Sequence, residues 1–473
     1  MIFTEFKFLF FFAAVFCVNW LLRKFVFRKI FLLICSYLFY AAWDWRFLSL
    51  IWMSTIVDYI LGLQMKSAPD VSRKRFLLSI SLVVNLGVLG FFKYFNFFLE
   101  SAFDLLAWLD LPTSTNSLEI ILPVGISFYT FQTLSYTIDV YRGHLEPTRS
   151  PIDFALFVAF FPQLVAGPIV RASDFIPQLS KARSFVTVPV RACLVLFLFG
   201  FFKKACIADS IAPAVDAVYS QPSEYSAFSI WQAIWLYAIQ IYCDFSGYTD
   251  MAIACAGLLG FSFPDNFNYP YFASNISDFW RRWHISLSTW LKDYLYIPLG
   301  GNRGSRGGSY RNLMITMVLG GLWHGAAWRF IAWGAMHGGA LIGHKVYLKQ
   351  QSSHRRDLDK QEKFIVSLLG TLLTFTWVCL AWVFFRADGL DDAMSVIFNC
   401  FSFGAESKAT LGFEYIPLLI GLLLTHWLSY RGYLERAFSS LPGWGFSLVY
   451  GAAYAVVFAA KPTNYEPFIY FQF

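Results

Sequence analysis

The chain is organised around two adjoining blocks, SDFWRRWHISLSTWLKDYLYIPLGGNRG (residues 277–304) and LMITMVLGGLWHGAAWRFIAWGAMHGG (residues 313–339). This stretch places charged groups, indoles and the histidines His284, His324 and His337 in a chain that is otherwise mostly hydrocarbon. Polar and ionisable side chains are costly beside lipid, so they require a protein-lined or water-filled setting. We therefore treat these residues as candidates for a functional site.

The composition of the whole chain is that of a membrane protein. Of its 473 residues, 57% are hydrophobic and only 14% are charged, whereas typical soluble domains have about 25% charged residues. A helical crossing needs about 20 apolar residues, so the sequence predicts an all-α polytopic protein with roughly 11–13 membrane-embedded helices plus re-entrant or interfacial ones.

Apolar runs and the charges that flank them predict how the chain crosses the membrane. The runs lie at roughly 6–22, 30–43, 47–64, 76–98, 118–138, 152–170, 187–207, 227–260, 312–346, 364–385, 413–429 and 442–460. Basic clusters follow the first and third runs, whereas residues 100–119 include no Lys or Arg. The positive-inside rule then places the basic loops in the cytoplasm and the N-terminus in the periplasm, with the first run retained rather than cleaved as a signal peptide. The net charge of +7 belongs to these short loops, so no nucleic-acid partner is expected.

We expect a single domain over residues 1–473, with peripheral spans at 1–115, a core at about 118–346 and C-terminal spans at 364–473. The most polar stretch, residues 350–363, is typical of a solvated loop, and we interpret its His354 as a surface residue. No inverted or tandem repeat is evident, which argues against a secondary transporter built from two related halves.

Residues 277–294 predict one amphipathic helix. Ser277 is a suitable N-cap, and Asp278 stands in the first turn. Spacings of three and four give an indole-rich face made of Trp280, Trp283, Leu287, Trp290, Leu291 and Tyr294, whereas Arg281, His284 and Ser288 share another face. Such a helix can lie along the membrane interface or cap a cavity. Its residues alone leave open whether it is an anchor or part of a functional site.

The loop GGNRGSRGGSYR (residues 300–311) offers backbone amides and three arginines, Arg303, Arg306 and Arg311. Guanidinium and amide groups of this kind can hold the phosphates of a soluble cofactor. The loop follows no predicted strand and lacks the spacing of a P-loop. A flexible cytoplasmic connection is therefore the alternative interpretation.

Three GxxxG pairs follow this loop and predict closely packed helices. The pairs are Gly321 with Gly325, Gly334 with Gly338, and Gly339 with Gly343. His324 lies inside the first pair and His337 inside the second, so both should face protein. They are 13 positions apart, about 220° around an ideal helix, so one unbroken helix cannot aim both at one point. Either the helix breaks between them or only one of them is catalytic, and we favour His324.

The motifs HExxH, GxSxG and CxxC and any carboxylate-rich cluster are missing from the sequence, so metalloprotease, serine hydrolase and di-metal functions have no support. What remains is a histidine in a dry, closely packed setting with tryptophans around it. The unperturbed pKa of imidazole lies near neutrality, so a neutral histidine can accept a proton at physiological pH. His324 therefore suits a general base that activates an acceptor hydroxyl, and no metal or permanently bound cofactor is expected.

At these residues the chain resembles the membrane-bound O-acyltransferase (MBOAT) family, and within it the bacterial alginate O-acetyltransferase (AlgI-like) branch. Matching blocks occur in order along almost the whole chain, among them LPVGISFYTFQTLSYTIDVYRG, FVAFFPQLVAGPIVR, IYCDFSGYTDMAI and the terminal FIYFQF. The WRRWHxSLSxW and GxWHG blocks are the most specific. The resemblance implies a helical membrane fold in which a cytoplasmic funnel admits an acyl thioester and a central tunnel leads toward the periplasm.

The resemblance also implies roles for particular residues. The family's WHG histidine falls on His324, and its WRRWH histidine falls on His284. Further substrate-binding or tunnel positions would be Trp283, Trp323, Arg281, Arg282, Asp244, Ser246, Tyr248, Gln163, Asn302 and Arg303, with Asp250 and Arg171 close by. We expect His324 to deprotonate the attacking hydroxyl, and His284 or an indole N–H to stabilise the thioester oxyanion.

These expectations describe an O-acyltransferase of the bacterial inner membrane. It would move acetyl from a cytosolic donor such as acetyl-CoA to a hydroxyl of an extracytoplasmic polysaccharide, or of a periplasmic SGNH-type partner that completes the transfer. Alginate, a cellulose-like exopolysaccharide and peptidoglycan stay open as final acceptors. A transporter or flippase is the alternative, because it needs the same buried polar groups, and a scaffold that only recruits a periplasmic enzyme is a second.

Overall fold

The computed structural model describes residues 2–111, 118–165, 167–181, 183–352, 360–403, 409–462 and 468–469. Within these ranges the chain is helical and forms no strand, only an isolated bridge between Tyr225 and Ala409. The predicted all-α class is therefore confirmed. His354, predicted to lie in a solvated loop, is outside the described residues.

The chain divides into two compact units, Met1–Cys193 with Ala252–Pro264 and Leu194–Met251 with Asp265–Phe473. That they act as the one predicted domain remains a prediction. The α-helices in chain order are α1 (Phe6–Leu21), α2 (Phe25–Asp44), α3 (Leu48–Ser67), α4 (Val71–Leu89), α5 (Phe95–Trp108), α6 (Ile126–Arg142), α7 (Pro151–Ala159), α8 (Phe161–Leu164), α9 (Ala172–Phe175), α10 (Val190–Phe201), α11 (Asp209–Ser220), α12 (Ala227–Leu258), α13 (Ile276–Arg282), α14 (Ile285–Leu291), α15 (Arg306–His324), α16 (Trp328–Ser352), α17 (Lys360–Arg386), α18 (Leu390–Cys400), α19 (Ile416–Tyr430), α20 (Tyr433–Ser439) and α21 (Gly443–Ala459). Short π-helical segments occupy Gly90–Tyr94, Phe202–Ala208 and Lys292–Tyr296, and 3₁₀ segments occupy Trp45–Phe47, Ile176–Ser180, Phe185–Thr187, Pro222–Glu224 and Pro270–Phe272.

Three helical stretches of the described chain are long and apolar enough to cross a membrane. They are Phe25–Ser67, Val71–Trp108 and Gln361–Arg386, and shorter apolar helices occur at Phe6–Leu21, Leu419–Tyr430 and Gly443–Ala459. These helices agree with the predicted membrane protein, whereas the number of crossings, the funnel and the tunnel remain predictions.

Some of the predicted apolar runs are not single helices, and two of these lie in the first unit. The run at 118–138 becomes helical only at Ile126, after Gly125 takes a left-handed conformation with φ 75°. The run at 152–170 is split into α7 and α8, and Pro162 lies in the first turn of α8. Proline is tolerated in a first helical turn but not in a helix interior, so α7 must end before it.

A polar network joins α3, α4 and α6 inside the first unit. Asp58 of α3 is fully buried, and its two carboxylate oxygens accept hydrogen bonds from Ser81 Oγ at 2.6 Å and Asn85 Nδ2 at 2.9 Å, both on α4. Asn85 Oδ1 accepts in turn from Ser54 Oγ at 2.8 Å and from Thr133 Oγ1 of α6 at 3.3 Å. Side-chain hydrogen bonds of this kind associate helices where lipid provides no hydrophobic drive. The network therefore fixes how these three helices pack.

Glycines allow α15 and α16 to pack closely in the second unit. A Cβ added to Gly321 would lie 3.2 Å from Gly334 Cα, and one added to Gly334 would meet the Met317 carbonyl. The close approach predicted for the first two GxxxG pairs is thus confirmed. Gly339 and Gly343 have no neighbouring atom within 4 Å of such a Cβ among the described residues, so the third pair does not pack as predicted.

Candidate active site

The sequence from Ser277 to Tyr294 does not form the predicted single helix. Helix α13 ends at Arg282, and His284 adopts the left-handed conformation with φ 42° before α14 begins at Ile285. The N-cap is Asn275, whose side chain accepts from the backbone N–H of Asp278 at 2.9 Å, and not Ser277. The prediction is wrong because the backbone at the break forms hydrogen bonds with a segment earlier in the chain.

The segment that contains Asn266 pairs with the backbone on both sides of His284. The backbone N–H of Ile285 donates to the Asn266 carbonyl at 2.9 Å, and the N–H of Asn268 donates to the Arg282 carbonyl at 2.9 Å. These bonds pair backbone groups that a helix break would otherwise leave unsatisfied. The left-handed conformation of His284, costly for a residue with a Cβ, is held in place by this pairing. His284 therefore does not share a helical face with Arg281 and Ser288.

The side chain of Asn266 fixes the tautomer of His284. His284 is fully buried, and its Nδ1 lies 3.1 Å from Asn266 Oδ1. The same oxygen accepts from the backbone N–H of Ser286 at 3.1 Å and from the Ser286 hydroxyl at 2.8 Å. A backbone N–H can only donate, so this atom must be the amide oxygen, and Nδ1 of His284 must carry the proton. In the neutral ring Nε2 then holds the lone pair.

Aromatic rings surround the His284 imidazole. Phe245 meets it edge-on at 4.7 Å, and Phe267 stacks against it at 6.4 Å. The ring of Trp323 lies 6.1 Å away and contacts His324 at 5.0 Å. The WRRWH and WHG histidines therefore contact the same indole.

His324 is the last residue of α15 and is 3% exposed. Its imidazole contacts Trp333 at 5.1 Å and Phe385 at 5.2 Å, in addition to Trp323. Gly325 follows in an extended conformation, and a Cβ there would collide with the ring of Phe330. The WHG glycine thus allows the chain to turn directly after the histidine.

The helix breaks between His324 and His337, which is one of the two arrangements that the sequence allowed. His337 lies on α16, fully buried, and Trp333 contacts it at 4.7 Å while also contacting His324. Phe279 stacks on the His337 ring at 6.1 Å with an interplanar angle of 8°. Neither ring nitrogen of His337 has a hydrogen-bond partner in the described part of the chain. The break brings His337 into the aromatic surroundings of His324.

Five aromatic side chains, which we call the aromatic cluster, connect these histidines. The cluster comprises Trp283, Trp323, Trp333, Trp382 and Phe385. Trp382 contacts Trp283 at 4.9 Å, Trp333 at 5.7 Å and Phe385 at 5.3 Å. The indole N–H of Trp333 has no acceptor among the described residues. Hydrogen bonds and interactions between charges are stronger in such a buried setting than in bulk solvent.

Asp244, a predicted tunnel residue, belongs to a buried ion cluster. Lys204 Nζ lies 2.6 Å from Asp244 Oδ1 and 2.7 Å from Asp209 Oδ1. Asp244 Oδ2 accepts from the backbone N–H of Ile469 at 2.8 Å. Two carboxylates around one ammonium offset part of the cost of burying these charges. Lys204 is not among the predicted site residues, although a lysine within the apolar run at 187–207 already requires such partners.

Two other predicted residues of the CDFSGYTD block contact Lys203, the neighbour of Lys204 in sequence. Lys203 donates to Ser246 Oγ at 2.9 Å and to Asp250 Oδ2 at 2.6 Å. Tyr248 is buried, with its ring 4.9 Å from that of Phe468. Phe245, the ring that contacts His284, comes from the same block and was missed because apolar residues carry no chemical signal in a sequence.

Of four further predicted substrate-binding or tunnel residues, three are exposed. Arg281 and Arg303 are exposed, and Arg282 Nε donates to Asp278 Oδ2 at 2.9 Å. Asn302 Oδ1 accepts from the Tyr296 hydroxyl at 2.7 Å and therefore helps to hold the glycine-rich loop.

Gln163 lies on α8 in the first unit. It is buried, and its Nε2 donates to the Phe157 carbonyl at 2.6 Å. A Cβ on Gly167 would approach Gln163 Cα to 2.5 Å, so the AGP glycine allows the backbone to turn closely around Gln163. A role for Gln163 or Arg171 at a substrate path remains a prediction.

The candidate site therefore consists of buried imidazoles that contact indoles, in an all-α membrane protein. The model of the membrane-bound O-acyltransferase family, MBOAT, matches residues 142–381 of this chain. The chain is 41% identical over 445 residues to "Probable alginate O-acetylase AlgI" of Azotobacter vinelandii, which covers 93% of this chain and 86% of that protein. It therefore belongs to the membrane-bound O-acyltransferase family.

Two other relatives bear on the reaction. A peptidoglycan O-acetyltransferase of Helicobacter pylori is 40% identical over 398 residues, covering 79% of this chain and 73% of that protein. A teichoic acid D-alanyltransferase of Streptococcus thermophilus is 27% identical over 296 residues, covering 58% and 70%. The chain is thus a membrane O-acyltransferase, and the relatives at about 40% identity support an O-acetyltransferase.

Proposed function

We propose that this enzyme transfers acetyl from a cytosolic thioester, acetyl-CoA, to a hydroxyl on the outer side of the bacterial inner membrane. The family supplies the reaction class. The observation that carries the assignment of the base is the buried position of His324 at the end of α15, in contact with Trp323, Trp333 and Phe385. The basic loops after α1 and α3 support an N-terminus on the periplasmic side.

In the proposed reaction, His324 takes the proton of the acceptor hydroxyl as the hydroxyl oxygen attacks the thioester carbonyl. The C–S bond then breaks, the protonated imidazole returns its proton to the leaving thiolate, and the products are an O-acetyl ester and free CoA. Charge develops on the carbonyl oxygen during the attack, so a fixed hydrogen-bond donor near it accelerates the reaction.

Trp333 is the donor that the geometry favours. Its indole N–H has no acceptor among the described residues, and its ring lies 5.1 Å from that of His324. His284, which the sequence also offered for this role, donates from Nδ1 to Asn266. Its Nε2 lone pair is an acceptor, so in the neutral form His284 suits the orientation of the acceptor hydroxyl better than the stabilisation of an oxyanion.

The glycine-rich loop supports a site for the donor. Arg303, Arg306 and Arg311 are exposed there, and guanidinium groups bind phosphates through paired hydrogen bonds. We assign the phosphates of CoA to these arginines.

The activities for which the relatives are named support the choice of acceptor. Alginate and peptidoglycan are both extracytoplasmic polysaccharides, and both are named for proteins about 40% identical to this chain. We assign a polysaccharide hydroxyl as the final acceptor of the acetyl group. The acetyl group reaches it directly or through a periplasmic SGNH-type partner whose serine carries it.

The test uses the purified full chain in lipid nanodiscs with radiolabelled acetyl-CoA and alginate or peptidoglycan fragments, with and without a candidate partner. Label should pass to an acceptor, and the exposed His144→Ala variant should behave as the wild type. No transfer with any thioester donor, together with movement of acyl donor or glycan across vesicles containing the protein, would replace the enzyme with a transporter.

A further inference from the structure

A surface pocket in the first unit is lined by three cationic side chains. Arg28 comes from the start of α2, and Lys181 and Arg183 come from the segment that follows α9. No carboxylate is among the described residues that line it. The neighbouring Lys29 differs, because it pairs with Asp153 at 2.6 Å. Positive charge that converges without a counter-charge attracts an anion.

Arg28 is held rigidly at this pocket. Its Nε donates to the Leu22 carbonyl at 2.7 Å, one terminal nitrogen donates to the Arg183 carbonyl at 3.2 Å, and the guanidinium stacks on Trp20 at 4.9 Å. The Trp20 indole N–H donates in turn to the Leu258 carbonyl at 3.0 Å. These bonds fix the guanidinium and use two of its five N–H groups, so the others are pre-oriented for a ligand.

Asn19 provides an independent sign of a ligand. It lines the same pocket, is 1% exposed, and its Nδ2 has no hydrogen-bond partner among the described residues. Buried amide groups are nearly always paired, because an unpaired one keeps the full cost of its desolvation. A ligand oxygen in the pocket would accept this bond. The three cations require that ligand to be anionic.

We propose that this pocket binds the phosphate of an anionic phospholipid headgroup. Apolar side chains that are close in sequence to the lining residues Trp20 and Arg183 are strongly exposed, with Leu21 at 77% and Val186 at 91%. Exposed apolar groups next to basic ones mark the boundary between hydrocarbon and headgroups, where lipid phosphates lie. Arg28, Lys181 and Arg183 would hold the phosphate, Asn19 Nδ2 would donate to one of its oxygens, and the acyl chains would extend past Leu21.

The experiment titrates dihexanoyl-phosphatidylglycerol into the purified full chain and measures binding by calorimetry. The double variant Lys181→Gln, Arg183→Gln removes two exposed charges and should weaken binding by about thirtyfold. Asn19→Leu leaves the charge unchanged and should also weaken binding. The matched control, Arg73→Gln with Arg75→Gln, removes two exposed cations that do not line the pocket and should change binding by less than twofold.

Competition distinguishes a lipid from a soluble phosphate ester. Phosphatidylglycerol should bind more tightly than inorganic phosphate or coenzyme A. If coenzyme A displaces the lipid at concentrations below those at which the lipid binds, the site serves a soluble ligand and the proposal fails. Equal losses in the control and the pocket variants would reduce the effect to diffuse surface charge and would also overturn it. Melting curves of each variant show that it is folded.

Discussion

The tautomer of the neutral His284 ring depends on one neighbouring amide. Because Asn266 Oδ1 accepts from the backbone N–H and hydroxyl of Ser286, it can meet His284 Nδ1 only as an acceptor. The lone pair of the neutral ring is therefore on Nε2. A histidine whose second nitrogen is fixed in this way is pre-organised, as are the histidines of many metal and catalytic sites.

We expect Asn266→Leu to lower kcat by about tenfold or more, because the orienting acceptor is lost. KM for acetyl-CoA should change little, since Asn266 is proposed to act through His284 on the acceptor hydroxyl. Asn266→Asp keeps an oxygen acceptor and should recover most of the rate. Steady-state kinetics of the two variants checks this, and equal activity of Asn266→Leu and wild type would contradict the role.

Replacement of the Trp333 indole by a phenyl ring, which lacks the N–H but stays aromatic, should slow acetyl transfer. We expect Trp333→Phe to lower kcat by about 10²-fold, the usual effect of losing one oxyanion donor. Trp382→Phe is the matched control, because it alters a buried indole 5.7 Å from Trp333. Similar kcat values for both variants would show that packing, and not the N–H, is what Trp333 supplies.

At the scale of helices, the polar network of α3, α4 and α6 yields a prediction about stability. Asp58→Leu removes the carboxylate that accepts from Ser81 Oγ and Asn85 Nδ2. Their other partners remain, Thr137 Oγ1 at 3.1 Å and the Ser81 carbonyl at 3.0 Å, so we expect a cost of about 1 kcal/mol in the free energy of unfolding. Asp58→Asn keeps an acceptor oxygen and should cost less. Unfolding in detergent measures both, and a more stable Asp58→Leu protein would contradict the structural role of the network.

The sequence predicts most of the helices, but it does not predict where they break or which glycines pack. Apolar runs of membrane length locate most helices, because burial in lipid demands continuous hydrophobicity. Periodicity could not predict the break at His284, since it is stabilised by Asn266, 18 positions earlier in the chain. The GxxxG spacing identified Gly321 and Gly334 but equally selected Gly339 and Gly343, because spacing does not say which face has a neighbour.

For the whole molecule, the blocks around WRRWH and WHG predicted the family correctly, and the matches cover nearly the entire chain. The surroundings of the site residues depend on tertiary packing. Residues far apart in sequence, Phe245, Trp382 and Phe385, contact His284 or the indoles around His324. Lys204 fixes Asp244 in a buried ion cluster that is tied to Ile469. Such apolar and ion-paired neighbours become visible only when the chain is folded.

The most direct test of the account is the rate of acetyl transfer from acetyl-CoA by the full chain carrying His324→Ala, compared with His284→Ala and wild type. A general base contributes about 10²–10⁴-fold, so His324→Ala should fall by at least about 10²-fold, with His284→Ala retaining more activity. Melting curves and donor binding establish that each variant is folded. Transfer by His324→Ala at the wild-type rate, or a lower rate for His284→Ala than for His324→Ala, would contradict the assignment of His324 as the base.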